Sequence, residues 1–338
     1  MRRHVRTVVI LLLTFGLLAF FLRDANMAGV WAETRRANAL LLFVALVATA
    51  MTYVLRAWRW QSVLAPIGPT RFATALRTTI IGFAASAILP ARAGEVLRPY
   101  LLARRERISA PAAFATIIIE RLIDLATVLL LFAVFVFVVP ASAIAADPAH
   151  LARVKFWGGV AGAGALLALG LLFALAGHPE RLGRAALRIE RVLPARLASA
   201  VARFVETFAQ GLAVMRQPSR LVEALVLSFP LWLSIAAQIW LVSQAFHITF
   251  PFTGTFLVLM FLVVGVAVPT PGAIGGFHAA YEIAVSTFFG APADRIVGAA
   301  IVLHAMSFLP VTLAGIPLMA REGLTFAGAR ELAQQGAR

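Results

Sequence analysis

One interruption, embedded in apolar sequence, occurs twice in this chain and narrows the folds open to it. The first copy reads Pro90-Ala-Arg-Ala-Gly94, followed by Tyr100 and Ala110-Pro111. The second reads Pro271-Gly-Ala-Ile-Gly275, followed by Tyr281 and Ala291-Pro292. Matching residues of the two copies are all 181 positions apart. Helix breaks at corresponding positions of two apolar halves point to the binding region of a membrane transporter. Unpaired N–H and C=O groups are too costly in lipid, so such breaks must be buried in protein or face a wet cavity.

The surrounding sequence fits a bilayer. Of 338 residues, 61% are hydrophobic and only 13% charged, against about a quarter charged in a soluble domain. Several apolar runs reach the roughly 20 residues that cross a membrane. The expected fold class is therefore all-α: a polytopic membrane protein with one transmembrane domain over residues 1–338. Six full spans are read at 7–22, 38–55, 112–139, 156–176, 221–246 and 294–319. Two broken segments lie at 78–107 and 254–290. The chain has no cysteine, which excludes disulfides, thiol catalysis and cysteine metal sites. The N-terminus resembles a signal peptide only superficially and is read as an uncleaved helix.

Arginine distribution suggests the threading. The net charge is +15, and Lys155 is the only lysine. Arginines concentrate in 1–6, 56–77, 92–107, 177–220 and 321–338, and such clusters favour the cytoplasm. Both termini are thus expected there, in a cell inner membrane. Segments 56–77 and 92–107 then share one side, although only a short apolar stretch separates them. Re-entrant segments satisfy this better than ordinary spans in an eight- or nine-helix bundle. The first segment would return to the cytoplasm and the second to the other side. That makes two inverted repeats, 38–139 and 221–319. Segment 177–220 reads as a basic amphipathic linker on an anionic leaflet. Nothing resembles a nucleic-acid module, and no cofactor is expected.

Charges within apolar sequence mark the candidate site. Glu120 and Asp124 share a helix face, with Arg121 adjoining both, as a functional cluster or a self-neutralised triad. Arg92, Glu95 and Arg98 follow Pro90, and Gly94 opens a helix whose free N–H groups suit phosphate. Arg56 and Arg59 flank Trp58 and Trp60, as an interfacial anchor or a phosphate contact. At the second break, Gly272, Gly275 and Gly276 permit close backbone approach. His278, Tyr281 and Glu282 follow, and His304 lies in the last span. A polar cluster is preferred to a metal site for these residues.

Four motifs carry a resemblance. Arg56-Ala-Trp-Arg59-Trp60, Pro90-Ala-Arg92-Ala-Gly94-Glu95-Val-Leu-Arg98, Glu120-Arg121-Leu-Ile-Asp124 and Pro271-Gly-Ala-Ile-Gly275-Gly276 resemble the transmembrane region of lysylphosphatidylglycerol synthases, a flippase-like membrane family. The resemblance extends over about residues 38–320. It implies movement of a lipid between leaflets, often one with a phosphate and an amino-acid or sugar headgroup. His278 stands where family members commonly carry a carboxylate, and the soluble aminoacyltransferase domain is missing. The expected function is translocation of an anionic phospholipid or polyprenyl-phosphate glycolipid, without enzymatic change. Arg92, Arg98, Arg56 and Arg59 would hold the phosphate. Glu120 and Asp124 would orient them or receive a cationic headgroup. A lipid-modifying membrane enzyme, or a non-transporting partner of a lipid-synthesis complex, is the alternative. A biosynthetic partner and a homo-oligomer both remain open.

Overall fold

A computed structural model describes residues 14–23, 25–89, 92–139, 148–177, 217–268 and 270–323. Among these the chain is helical throughout. After α1, described over 14–22, come α2 (Met27–Arg36), α3 (Ala39–Leu64), α4 (Phe72–Ile88), α5 (Gly94–Glu106), α6 (Ala110–Val138) and α7 (Pro148–Gly177). The second half supplies α8 (Pro218–Ala245), α9 (Thr255–Ala267), α10 (Gly276–Phe289) and α11 (Ala293–Arg321).

Local chemistry starts and stops these helices. Asn38 caps α3 by accepting from the amides of Leu40 and Leu41, and Ser109 caps α6 through Ala112 N. Gly275, at φ 85, opens α10, and Gly290, at φ 65, closes it; both conformations suit a residue without Cβ.

Four described helices are long and apolar enough to cross a membrane: Ala39–Leu64, Ala110–Val138, Ser219–Ala245 and Ala293–Arg321. These account for the expected spans at 38–55, 112–139, 221–246 and 294–319. The expected span at 156–176 falls within α7, and that at 7–22 lies partly outside the described residues. So does the basic linker, whose residues 178–216 are not described, and so does Pro90 of the first break.

The second expected span is longer than its sequence suggests. Helix α3 continues past Leu55 to Leu64, so Arg56 and Arg59 belong to the helix rather than to a loop after it. Carboxylates on α6 compensate Arg59 there. The connection 23–37 also holds a helix, α2. Asp294 and Arg295 at the start of α11 tie it down through Asn26 N, at 3.2 Å, and Glu33, at 3.2 Å.

Each half of the fold contains long, short, short, long helices: 26, 17, 13 and 29 residues in α3–α6, then 28, 13, 14 and 29 in α8–α11. At 1.5 Å per residue the short helices reach only about 20–25 Å, short of the roughly 30 Å hydrocarbon core. Each short pair is a hairpin. In the first, a methyl group on Gly94 would run into the Gly82 carbonyl oxygen. In the second, one on Gly265 would meet the Gly276 carbonyl. Only backbone fits at either crossing.

The hairpins open toward opposite ends of α11. Arg77 of α4 and Arg105 of α5 both reach Glu322, just past the α11 C-terminus, at 3.1 and 2.5 Å. The second hairpin ends at Phe289, whose ring stacks on Phe250 at 4.5 Å, and it leads directly into the α11 N-terminus. The tips meet between these ends. Gly272 lies against the Ala87 carbonyl, and Arg92 donates to the Val266 carbonyl.

Candidate functional site

The site grows from a buried set of charges between the halves. Arg59, on α3, is 1% exposed. Its guanidinium donates to Asp124 Oδ1 at 2.5 Å, to Glu120 Oε1 at 3.2 Å and to Ser228 Oγ at 2.9 Å. Asp124 Oδ1 also accepts from Trp232 Nε1 at 2.9 Å. Glu120 Oε2 accepts from Arg98 Nη1 at 2.9 Å. One carboxylate thus joins an arginine of α3 to an arginine of the first hairpin. Buried charges hold only when paired and hydrogen-bonded in this way.

The partner of the two carboxylates differs from the one nearest in sequence. Arg121 is half exposed; it stands 3.6 Å from Asp124 Oδ2 and 3.7 Å from Glu95 Oε1. It is a peripheral neighbour, and Arg59 and Arg98 neutralise Glu120 and Asp124. The triad Glu120–Arg121–Asp124 therefore does not close on itself. Residues 22 to 65 positions away do the neutralising, which adjacency in sequence does not reveal.

Trp60 is likewise no interfacial anchor. It is fully buried and donates to Thr116 Oγ1 at 2.9 Å. Arg98 stacks over its ring, 3.8 Å from the centroid, a favourable cation–π placement. Trp58 alone is exposed.

A cavity of about 430 Å³ lies in front of this network, between the two hairpins. Arg56, Arg92, Arg98, Arg121, Glu95 and Asp124 line its charged side; Arg59 and Glu120 sit behind it. The arginines are committed to different degrees. Arg59 spends both terminal nitrogens on two carboxylates and Ser228, with only Nε left without a partner. Arg92 is held by Val266 O and lies 3.8 Å from Glu95; its φ of 52 is unusual for a residue with a side chain. Arg98 spends one terminal nitrogen on Glu120, leaving Nε and Nη2 without a partner. Arg56 makes no hydrogen bond or ion pair and stacks near Phe83 and Trp232, at 5.0 and 5.8 Å. Arg56 and Arg98 are therefore the least compensated arginines of the cavity lining, where Arg92 and Arg59 had been expected to share the phosphate-binding role.

The second break contributes differently. His278 and His304 are 4.6 Å apart, ring to ring. His304 Nε2 lies 2.8 Å from Gly272 O, and His278 Nδ1 accepts from Gly275 N at 3.4 Å. The pair secures the tip of the second hairpin from behind, and neither ring lines the cavity. Tyr281 is fully buried, with its hydroxyl 2.7 Å from Ser243 Oγ. It also differs from its sequence counterpart Tyr100, which is 47% exposed. Glu282 is outside the cavity lining as well. Four residues expected at the ligand thus lie outside the cavity lining, three of them bonded to the surrounding scaffold. Among the described residues no group of three metal-ligating side chains occurs.

Sequence reasoning missed the other cavity wall: Thr49, Thr52 and Tyr53 of α3, Gln238 of α8 and Ser307 of α11. Thr49, Thr52, Tyr53 and Arg56 fall on one helix face by spacing. Gln238 is an amide deep in an apolar span, a signal that was available.

Comparison with known proteins agrees with the architecture. A glycosyltransferase of Haloferax volcanii, AglD, is 32% identical over 127 residues, which is 37% of this chain and 20% of that protein. The chain thus matches about a fifth of that relative's length. Residues 7–315 match the family described as the lysylphosphatidylglycerol synthase transmembrane region. Together with its helices of membrane-spanning length and composition, the match makes this a multi-pass membrane protein that belongs to the lysylphosphatidylglycerol synthase transmembrane-region family.

Proposed function

We propose that the protein moves a phosphate-bearing membrane lipid between leaflets. The headgroup passes through the cavity where the hairpin tips meet, and the acyl chains stay in the bilayer. The observation that carries this reading is the pair Arg56 and Arg98, which both line the cavity and are the least compensated of its arginines, Arg98 having one carboxylate partner and two buried nitrogens without any. Guanidinium groups match phosphate oxygens in geometry and charge. Glu120 and the Trp60 ring fix the position of the Arg98 guanidinium.

The hairpins support the same reading. They open toward opposite ends of α11, and their tips approach each other, as inverted repeats around a midplane site do. The arginine-rich segments support a cytoplasmic side for the base of the first hairpin and for both termini, in a cell inner membrane. Repeat one would comprise 38–139 and repeat two 221–319.

Reconstitution into liposomes tests this. Acyl-labelled phosphatidylglycerol is expected to exchange between leaflets at a protein-dependent rate, recovered chemically unchanged. A protein-dependent product with an altered headgroup would favour a lipid-modifying enzyme. The absence of exchange, with the protein folded, would overturn the transporter reading.

A further inference from the structure

The cavity also carries information about the rest of the headgroup. Its charge is unbalanced. The network and its cavity edge hold five arginines (Arg56, Arg59, Arg92, Arg98, Arg121) against three carboxylates (Glu95, Glu120, Asp124). Every one of those carboxylates is already claimed. Glu120 accepts from Arg59 and Arg98. Asp124 accepts from Arg59 and Trp232 and has Arg121 beside it. Glu95 stands between Arg92 and Arg121. Asp124 Oδ2 accepts no hydrogen bond, but Arg121 stands 3.6 Å from it. A cationic headgroup would therefore enter a space where guanidiniums outnumber carboxylates and would find no carboxylate without an arginine beside it. Such like-charge placement costs several kcal/mol and excludes the wrong partner.

The opposite wall is neutral and rich in hydroxyls. Thr49 and Ser307 each donate their own proton to a backbone carbonyl one turn back, at 3.0 and 2.7 Å, and Thr52 Oγ1 lies 3.0 Å from the Ala48 carbonyl and 2.7 Å from Ser234 Oγ. The hydroxyl oxygens of Thr49 and Ser307 therefore present lone pairs as acceptors. Gln238 donates from Nε2 to Ser307 Oγ at 3.1 Å, so its orientation is set and its carbonyl oxygen remains an acceptor. Thr270, at the second tip, has a buried hydroxyl without a partner and lines the same space. A set of neutral acceptors opposite a cationic edge suits a ligand with a phosphate at one end and several hydroxyl donors at the other.

We infer that the ligand is a lipid whose phosphate bears a neutral, hydroxyl-rich group, a sugar or polyol, and that lipids with an aminoacyl cation are rejected. This rests on the reading that the cavity takes a lipid phosphate. Two measurements on the full chain separate the claims. The first is thermal stabilisation of the detergent-solubilised protein by short-chain phosphatidylinositol and by short-chain lysyl-phosphatidylglycerol. The second is leaflet exchange in liposomes of the same two headgroups, on identical labelled acyl chains. Half-maximal stabilisation is expected at a roughly ten-fold lower concentration of phosphatidylinositol, about 1.4 kcal/mol, with the same order in exchange. Preference in binding without exchange would retain the headgroup assignment and remove translocation. Equal or tighter binding of lysyl-phosphatidylglycerol would overturn the assignment whether or not either lipid crosses. Gln238→Leu, if it folds, should reduce the preference; an unchanged preference would show that this wall does not read the headgroup. Should that variant fail to fold, the wild-type comparison decides.

Discussion

Arg92, at the tip of the first hairpin, donates to the main-chain carbonyl of Val266 at the end of the second. This side chain closes the contact between two elements that enter from opposite ends of the protein. The carbonyls at a helix C-terminus have no intrahelical partner, so α9 gains a cationic cap from the other repeat.

Arg92→Ala should therefore loosen the tips while leaving the phosphate donors in place. A cysteine introduced at Ser307 should react faster with a thiol reagent in that background. Affinity for a phosphate lipid should change by less than three-fold. A ten-fold loss of affinity would return Arg92 to the binding set.

Arg56→Ala and Arg98→Ala should each weaken lipid binding by about 1.5–3 kcal/mol, roughly ten-fold to over a hundred-fold. Lysine at either position should rescue only part, because an ammonium lacks the planar pair of donors. Ligand-induced stabilisation in detergent reads both. Wild-type affinity in both alanine variants would remove the anion site.

The buried network makes unequal demands on its members. Arg59→Leu leaves Glu120 and Asp124 without their shared partner, a loss of about 3–5 kcal/mol for a broken buried pair. That variant should fail to accumulate. The combined variant Arg59→Leu, Glu120→Gln, Asp124→Asn should recover folding and still not transport, because Arg98 loses its positioning partner. Arg121→Leu should fold normally. Size-exclusion profiles and melting temperatures decide, and an unfolded Arg121→Leu would overturn the assignment of partners.

These variants also show what the sequence disclosed. The breaks at Gly94 and Gly275 were legible because glycine and proline act locally, and the long spans because hydrophobicity accumulates along the chain. Glu120 and Asp124 were visible as expensive residues in an apolar helix. Their pairing with Arg59 and Arg98 was reached only through the family resemblance, because a span read as ending at residue 55 left Arg59 in the segment after it. Ser228 meets Arg59, and Trp232 meets Asp124, only through packing of α8, which no local pattern encodes. His278 and Glu282 looked like ligands because polarity in a membrane segment suggests function. For His278 the structure gives another use: holding a backbone turn.

Threading is checked with single cysteines at Ala73, Ala103, Thr253 and Ala291, in a chain that has none of its own. An impermeant thiol reagent applied outside should label the last two and spare the first two. Opposite labelling of Ala73 and Ala103 would show that the first hairpin crosses the membrane.

A substitution at a glycine crossing should act on the hairpin as a whole. Gly94→Val puts a branched side chain against the Gly82 carbonyl, and overpacking of this kind typically costs about 1–3 kcal/mol. The expected result is a lower melting temperature with an altered exchange rate. An unchanged melting temperature would show that the legs separate freely.

The ion pairs at Glu322 give the first hairpin the mechanics of a lever. Both legs are fastened at one carboxylate, and their crossing is too tight to shear. Rotation about the base therefore moves the far end without bending the arm. Over an arm of about 25 Å, a tilt of about 5° carries the tip roughly 2 Å, which is enough to break a hydrogen bond such as the one between Arg92 and Val266. Small forces at the base, where Arg77, Arg105 and Glu322 meet, would then be amplified into opening between the hairpin tips.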